Sequence, residues 1–147
     1  MQAHVSEELG PQIFAAVERI WAQTGVGNPA RGDTLASVEE TLRHGGRLLT
    51  VRSPKDEVLA VCWLTDDGRR LYLHHMAVAP AEQGKGYARL LMDRAVSLAR
   101  ERGRQVKLEV HRDNARARRL YEEYGFAPLS GYDTFILRNP GSVHGRP

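Results

Sequence analysis

Apolar and polar residues along this chain keep two different rhythms, and the change of rhythm marks its elements. In "GPQIFAAVERIWAQTG" the apolar positions Ile13, Phe14, Val17, Ile20 and Trp21 recur three and four apart, the spacing of one helix face. Pro11 suits the first turn and Gly25 marks the exit. After a Gly/Pro/Asn loop, "DTLASVEETLRHGG" predicts a second helix, capped by Asp33 or Ser37 and stopped by glycine. The rhythm then shortens. "RLLTV", "EVLAVCWLT" and "RRLYLHHMAV", separated by "SPKD" and "DDG" turns, predict an antiparallel meander.

Helical spacing returns in "GKGYARLLMDRAVSLARERG", where Ala88, Leu91, Ala95, Leu98 and Ala99 form a stripe that ends at Gly103. "QVKLEV" alternates as a strand. "NARARRLYEEYG" sets Ala117, Leu120, Tyr121 and Tyr124 on one helical face, and "FAPLSGYDTFILR" predicts a final strand or hairpin. Strand, helix and strand across residues 71–111 imply a parallel pair joined by a right-handed crossover. The expected fold is therefore α/β, with a mixed, mostly antiparallel sheet. The domain is expected over residues 1–139, followed by a flexible tail over 140–147 that is too poor in apolar residues to pack.

Composition narrows the class. At 147 residues and 41% hydrophobic content the chain suits one domain with its own core, without disulfides or metal. No apolar run approaches the roughly 18 residues of a membrane span, and no signal peptide opens the chain, so a soluble cytoplasmic protein is expected. The one cysteine, Cys62, lies between Val61 and Trp63 and is expected to be a buried, inert thiol. Net charge is +3 but uneven: residues 1–77 hold 8 Lys/Arg against 10 Asp/Glu, and residues 78–147 hold 13 against 8. A basic second half favours an anionic partner: nucleic acid, a membrane surface or a phosphorylated cofactor.

Gly84 and Gly86 stand where the "YARLLM" helix must begin. A helix N-terminus carries unpaired N–H groups and the positive end of the macrodipole, so it attracts anions. Glycine at 84 and 86 and alanine at 88 leave those amides bare, as in a backbone nest for phosphate. The same two glycines would also serve a plain turn. The stretch lacks the third glycine of a dinucleotide fingerprint and the Ser/Thr of a P-loop.

"VAPAEQGKGYARLLM" resembles the signature of the GNAT N-acetyltransferase superfamily, with Gln83, Gly86 and Ala88 at its defined positions. "LEVHRDNARARRLYEEYGF" resembles the second half of the same pattern, through Asn114, Ala117, Leu120, Tyr121, Gly125 and Phe126. The resemblance covers residues 71–126 and implies helices on both faces of the mixed sheet, with acetyl-CoA as cosubstrate. Its pyrophosphate would lie on the amides of Gln83, Gly84, Lys85, Gly86, Tyr87 and Ala88. Met76, Ala77, Val78, Asn114 and Tyr121 would line the pantetheine arm and acetyl group, and Lys85 and Arg89 are candidates for side-chain contact with phosphate. The implied acceptor is a primary amine on a peptide N-terminus, a lysine or a small molecule. A homodimer through the late strands is a further implication, with neither nucleic acid nor membrane as partner.

Amine acetylation by a thioester needs a neutral amine, a stabilised oxyanion and a protonated leaving thiolate. The backbone N–H near Val78 is the family-like oxyanion donor. Tyr121 stands where the resemblance puts a general acid, and a phenol can protonate a developing thiolate; as one of an apolar stripe it can equally be core. Glu109, expected on the fifth strand with Lys107 and His111, lies twelve residues before Tyr121. That spacing is similar to the ribosomal-protein N-terminal acetyltransferase branch, where this glutamate is the base, although a solvated pair with Lys107 also fits. His74 and His75 are rival proton carriers, sent by alternation to opposite faces of their strand. Asn114 is expected to bond pantetheine or to cap its helix with Asp113. Two other functions stay open: a catalytically silent acyl-CoA sensor, and nucleic-acid binding through Arg112, Arg116, Arg118 and Arg119.

Overall fold

Residues 2–143 are described in the computed structural model. Contacts divide the chain after Glu109 into two units. The first holds β1 (His4–Ser6), α1 (Pro11–Thr24), α2 (Leu35–Arg43), β2 (Arg47–Arg52), β3 (Val58–Asp66), β4 (Arg70–Val78), α3 (Tyr87–Arg102) and β5 (Gln105–Leu108). The strands form one sheet in the order β1-β2-β3-β4-β5. Neighbours run antiparallel except β4 and β5, which are parallel across the α3 crossover. Among the described residues no helix is long and apolar enough to cross a membrane.

Both faces of the sheet are covered. Pairing sets Leu48 opposite Trp63 and Leu49 opposite Cys62, so alternate residues of β2 and β3 face opposite ways, yet nearly all are buried. Strands covered on both sides lose the apolar–polar alternation for this reason. On one face Phe14, Val17, Ile20 and Trp21 of α1 and Val38 of α2 pack with Leu48, Val61, Trp63 and Ala77. On the other lies α3, which buries Leu91, Met92, Ala95, Leu98 and Ala99. Cys62 is fully buried, and loss of water pushes its thiol up to about 12.

Both early helices begin and end as the sequence dictates, with one correction. Gly25 closes α1 at φ 76°, and its N–H donates to the Trp21 carbonyl. The cap of α2 is Thr34, whose hydroxyl accepts from the Ser37 N–H at 3.2 Å. Neither Asp33 nor Ser37 caps it, because the Asp33 carboxylate is taken up by Asn28 and His75. The three-residue β1 pairs with β2 and is too short for a period to announce it.

Two strand expectations fail. β5 stops at Leu108, so the strand expected over "QVKLEV" is shorter by two residues and Glu109 lies just past its end. In the second unit α4 spans Ala115–Glu123, but no strand follows over residues 126–138. There Leu129, Tyr132, Phe135 and Ile136 are exposed, Phe135 at 91%. Apolar and β-branched content makes a strand only where a neighbour accepts its backbone hydrogen bonds, and this stretch has no ladder partner among the described residues. The expected tail shows a single turn at Pro140–Ser142; its last four positions, 144–147, lie outside the described residues.

Candidate active site

β4 is irregular where it passes α1. Ala77 pairs with Val61 and His74 with Trp63, so His75 and Met76 together face the single residue Cys62. This is a β-bulge. His75 takes φ 50°, a left-handed conformation uncommon for any residue but glycine. The extra residue shifts the alternation by one, and His74 and His75, expected on opposite faces, both turn to the α1 side. Each ring lies against Trp63, at centroid distances of 5.4 Å and 6.2 Å. The His75 carbonyl accepts from Trp21 Nε1 at 3.1 Å, and its Nε2 meets Asp33 Oδ1 at 3.0 Å.

A second polar line begins two residues earlier on the same face. The Tyr72 hydroxyl donates to Glu109 Oε1, and its ring stacks on His74 at 4.6 Å. His74 Nε2 in turn meets Thr65 Oγ1 at 2.9 Å. Burial, reinforced by His75 beside it, pushes the His74 imidazole down to about 4, against the opposing pull of Asp33 and Glu109. His74 is neutral at pH 7. Burial and then the Glu109 carboxylate push the Tyr72 phenol well above its usual range, so it stays a donor. Glu109 is exposed, and its partner is Tyr72; no ion pair joins it to Lys107 among the described residues.

Pairing of β4 with β5 ends at Leu73 opposite Leu108. From His74 to Val78 that edge of β4 has no neighbouring strand among the described residues, the opening expected for a pantetheine arm beside Met76, Ala77 and Val78. Val78 itself still pairs with Ala60 on the other edge, so the irregular backbone falls at His75 and Met76 rather than at Val78.

Beyond β4 the chain makes a 3-10 turn over Pro80–Glu82 and enters α3 through Gly84 at φ 85° and Gly86 at φ 87°. Gly86 is the N-cap and no side chain caps the helix. The N–H groups of Gly86, Tyr87 and Ala88 have no acceptor among the described residues, and a Cβ on Gly86 would project into open space. These features fit a pyrophosphate: free amides, a dipole end and a surface that any side chain would fill. The neighbouring side chains do other work. Lys85 pairs with Glu82 at 2.8 Å, which raises its ammonium above the usual range. Gln83 Nε2 donates to the Val78 carbonyl at 3.3 Å and ties the loop to the end of β4.

Asn114 and Tyr121 belong to the second unit. Asn114 caps α4, its Oδ1 accepting from the Ala117 N–H at 3.1 Å. Asp113 does not share the cap, its carboxylate lying instead toward His111, with Oδ2 3.7 Å from Nδ1. Tyr121 is buried at 6% exposure, with its ring 5.8 Å from Phe126.

The acetyltransferase (GNAT) family model matches residues 14–126. The chain belongs to that family. A mycothiol acetyltransferase of Beutenbergia cavernae is 43% identical over 75 residues, half of this chain and 25% of that protein. A streptothricin acetyltransferase of Streptomyces lavendulae is 40% identical over 75 residues, again half of this chain and 39% of that protein. The chain thus matches well under half the length of these curated relatives. Among solved structures, a Streptococcus agalactiae acetyltransferase superposes with a TM-score of 0.74 at 16% identity, covering 93% of this chain and 92% of that one. AAC(6')-Iy, solved with a CoA-S-monomethyl-acetylneamine bisubstrate analog, superposes with a TM-score of 0.75 at 13% identity, covering 94% and 99%. At such identities the likeness speaks for the GNAT fold alone.

Acetyl-CoA is the cosubstrate of GNAT enzymes. Sequence reasoning missed Tyr72, Thr65 and Asp33. Tyr72 could have been found from the i, i+2 pairing with His74 on one strand face. No sequence signal announces Asp33, because its role depends on a loop that turns it toward a strand more than forty residues later.

Proposed function

We propose that this chain transfers an acetyl group from acetyl-CoA directly to a primary amine, both substrates being held together. What carries the proposal is the succession, inside the family match, of a β4 edge and the first amides of a glycine-capped α3, both of which have no partner among the described residues. Bound acetyl-CoA supplies an acyl carbon activated as a thioester. The chain supplies the rest. Amides from Gly84 to Ala88 hold the diphosphate, and Gln83 braces that loop on β4. The open edge at Met76, Ala77 and Val78 takes the pantetheine amides and offers N–H groups to the acyl oxygen. Lys85, already paired with Glu82, adds positive charge near the loop without being aimed by it.

Glu109 is assigned the role of base. The Tyr72 hydroxyl fixes one of its oxygens and leaves the other for an ammonium proton. Tyr121 is assigned the acid role by its position in the motif, and Asn114 a contact to pantetheine by the same reasoning. The spacing of Glu109 and Tyr121 supports a peptide α-amine as acceptor, in the manner of the ribosomal-protein N-terminal branch. The names of the relatives argue for including small-molecule amines. The test is thiol release from acetyl-CoA over a panel of peptide N-termini, lysine derivatives and aminoglycoside-type amines. Glu109→Gln and Tyr121→Phe should each lower kcat by about 10²-fold. Unchanged turnover would remove these roles, and the absence of coenzyme binding would remove the enzyme reading itself.

A further inference from the structure

We infer that His75, oriented by Asp33, is a second proton acceptor for the amine substrate, distinct from Glu109. The inference rests on the acetyltransferase reading above and extends it to the acceptor side. Its first support is the backbone. A histidine held at φ 50° inside a strand is strained, and the surroundings hold it there from both ends: Trp21 Nε1 binds its carbonyl and Asp33 its ring. The second support is the loop that delivers Asp33. Asn28 caps the turn at Pro29–Arg31, and its own N–H donates to Asp33 Oδ2 while Asp33 Oδ1 meets His75 Nε2. Thr34 does the helix capping that Asp33 was expected to do, which leaves the carboxylate for the imidazole.

A carboxylate on Nε2 fixes the tautomer. Nε2 carries the hydrogen, and Nδ1 is left with a lone pair and no hydrogen-bond partner among the described residues. The side chains of His75 and Asp33 are 27% and 14% exposed, so the couple is shielded but reachable. Among the described residues the titratable neighbours are His74, which is adjacent and neutral at pH 7, with Tyr72 and Glu109 beyond it, and the uncharged rings of Trp21 and Trp63 lie against the imidazole.

Two acceptors match the chemistry. Between ammonium and amide the nitrogen breaks two N–H bonds and forms one N–C bond. The C–S electron pair goes to sulfur, which takes one proton from Tyr121. One nitrogen proton goes to Glu109 and one to His75 Nδ1. The proton left on Glu109 balances, through solvent, the one that Tyr121 gave to sulfur, and His75 releases the net proton of the reaction to water.

The test uses the full chain with His75→Asn and Asp33→Asn. Asparagine tolerates the left-handed conformation, so the first variant keeps the bulge. In the second, an amide N–H facing Nε2 drives the hydrogen onto Nδ1. Imidazole ¹⁵N spectra should show an unprotonated His75 Nδ1 in the unaltered protein at pH 7.5 and a protonated one in Asp33→Asn. With glycinamide, lysine amide and spermidine as acceptors, both variants should lose roughly 10²-fold in kcat/KM at pH 7. The deficit should narrow at pH 9, where more of the amine is already neutral, and the melting shift given by acetyl-CoA should persist. A protonated Nδ1 in the unaltered protein, or a loss equal at both pH values, overturns the inference. No melting shift in the unaltered protein overturns the acetyltransferase reading instead, and the ring spectra still decide the state of the couple.

Discussion

The two ends of α3 provide a matched pair of perturbations. Gly86 at its start has φ 87° and Gly103 at its end has φ 65°, and a Cβ on either meets nothing within 4 Å. Gly86→Leu and Gly103→Leu each force a side chain into the left-handed region, at about 1–2 kcal/mol. For a chain of this size that is roughly 3–6 °C in Tm. Without coenzyme the two variants should melt alike. With acetyl-CoA at about 100 times its Kd the unaltered protein gains about 2.7 kcal/mol, and Gly103→Leu should gain the same. At position 86 the leucine adds bulk to the residue that opens the run of amides at Gly86, Tyr87 and Ala88, which have no acceptor among the described residues. A resulting 100-fold loss of affinity leaves a gain of only about 0.4 kcal/mol at the same concentration. Differential scanning fluorimetry with and without acetyl-CoA reads both terms. Equal coenzyme shifts in the two variants would refute the assignment of diphosphate to the start of α3.

Further outcomes follow from the first unit. His74 titrates near 4 when folded against an ordinary 6.5, so between those values the unfolded chain binds more protons and stability falls as pH drops from 6.5 towards 4. The full shift is worth about 3.4 kcal/mol, and about 2 after allowance for the part of the ring that solvent reaches. Urea midpoints at pH 7 and pH 4.5 should converge in His74→Gln relative to the unaltered protein; parallel profiles would contradict the shift. Gly46→Ala places a Cβ 2.7 Å from the Thr41 carbonyl and 2.8 Å from that of Leu64. It should cost about 1–3 kcal/mol in urea unfolding, and an unchanged midpoint would show that α2 and β3 move apart freely.

Most of the fold was written in local pattern. Period and punctuation place α1, α3 and the three-strand meander almost to the residue, because Gly25 and Gly103 stop helices by conformation alone. The bare start of α3 was legible for a similar reason: Gly84 and Gly86 act through the backbone they permit. What could not be read depends on distant partners. Whether "FILR" becomes a strand is decided by a neighbour's free edge, and "HHMAV" alternates in sequence while its strand does not. The pairing of Lys85 with Glu82, and the release of Asp33 by Thr34, are choices between near-equivalent neighbours that only the folded loop makes.

The doubled position on β4 has a consequence for how this strand can vary. Because one residue is surplus to the β3 pairing, everything downstream, from Ala77 in the core to the glycines before α3, is offset by that residue. Deleting Met76 would mend the ladder yet swing the His75 ring out of Asp33's reach and pull the loop after β4 short. A flawless hairpin here would undo the pairing of His75 with Asp33 that the irregularity sets up.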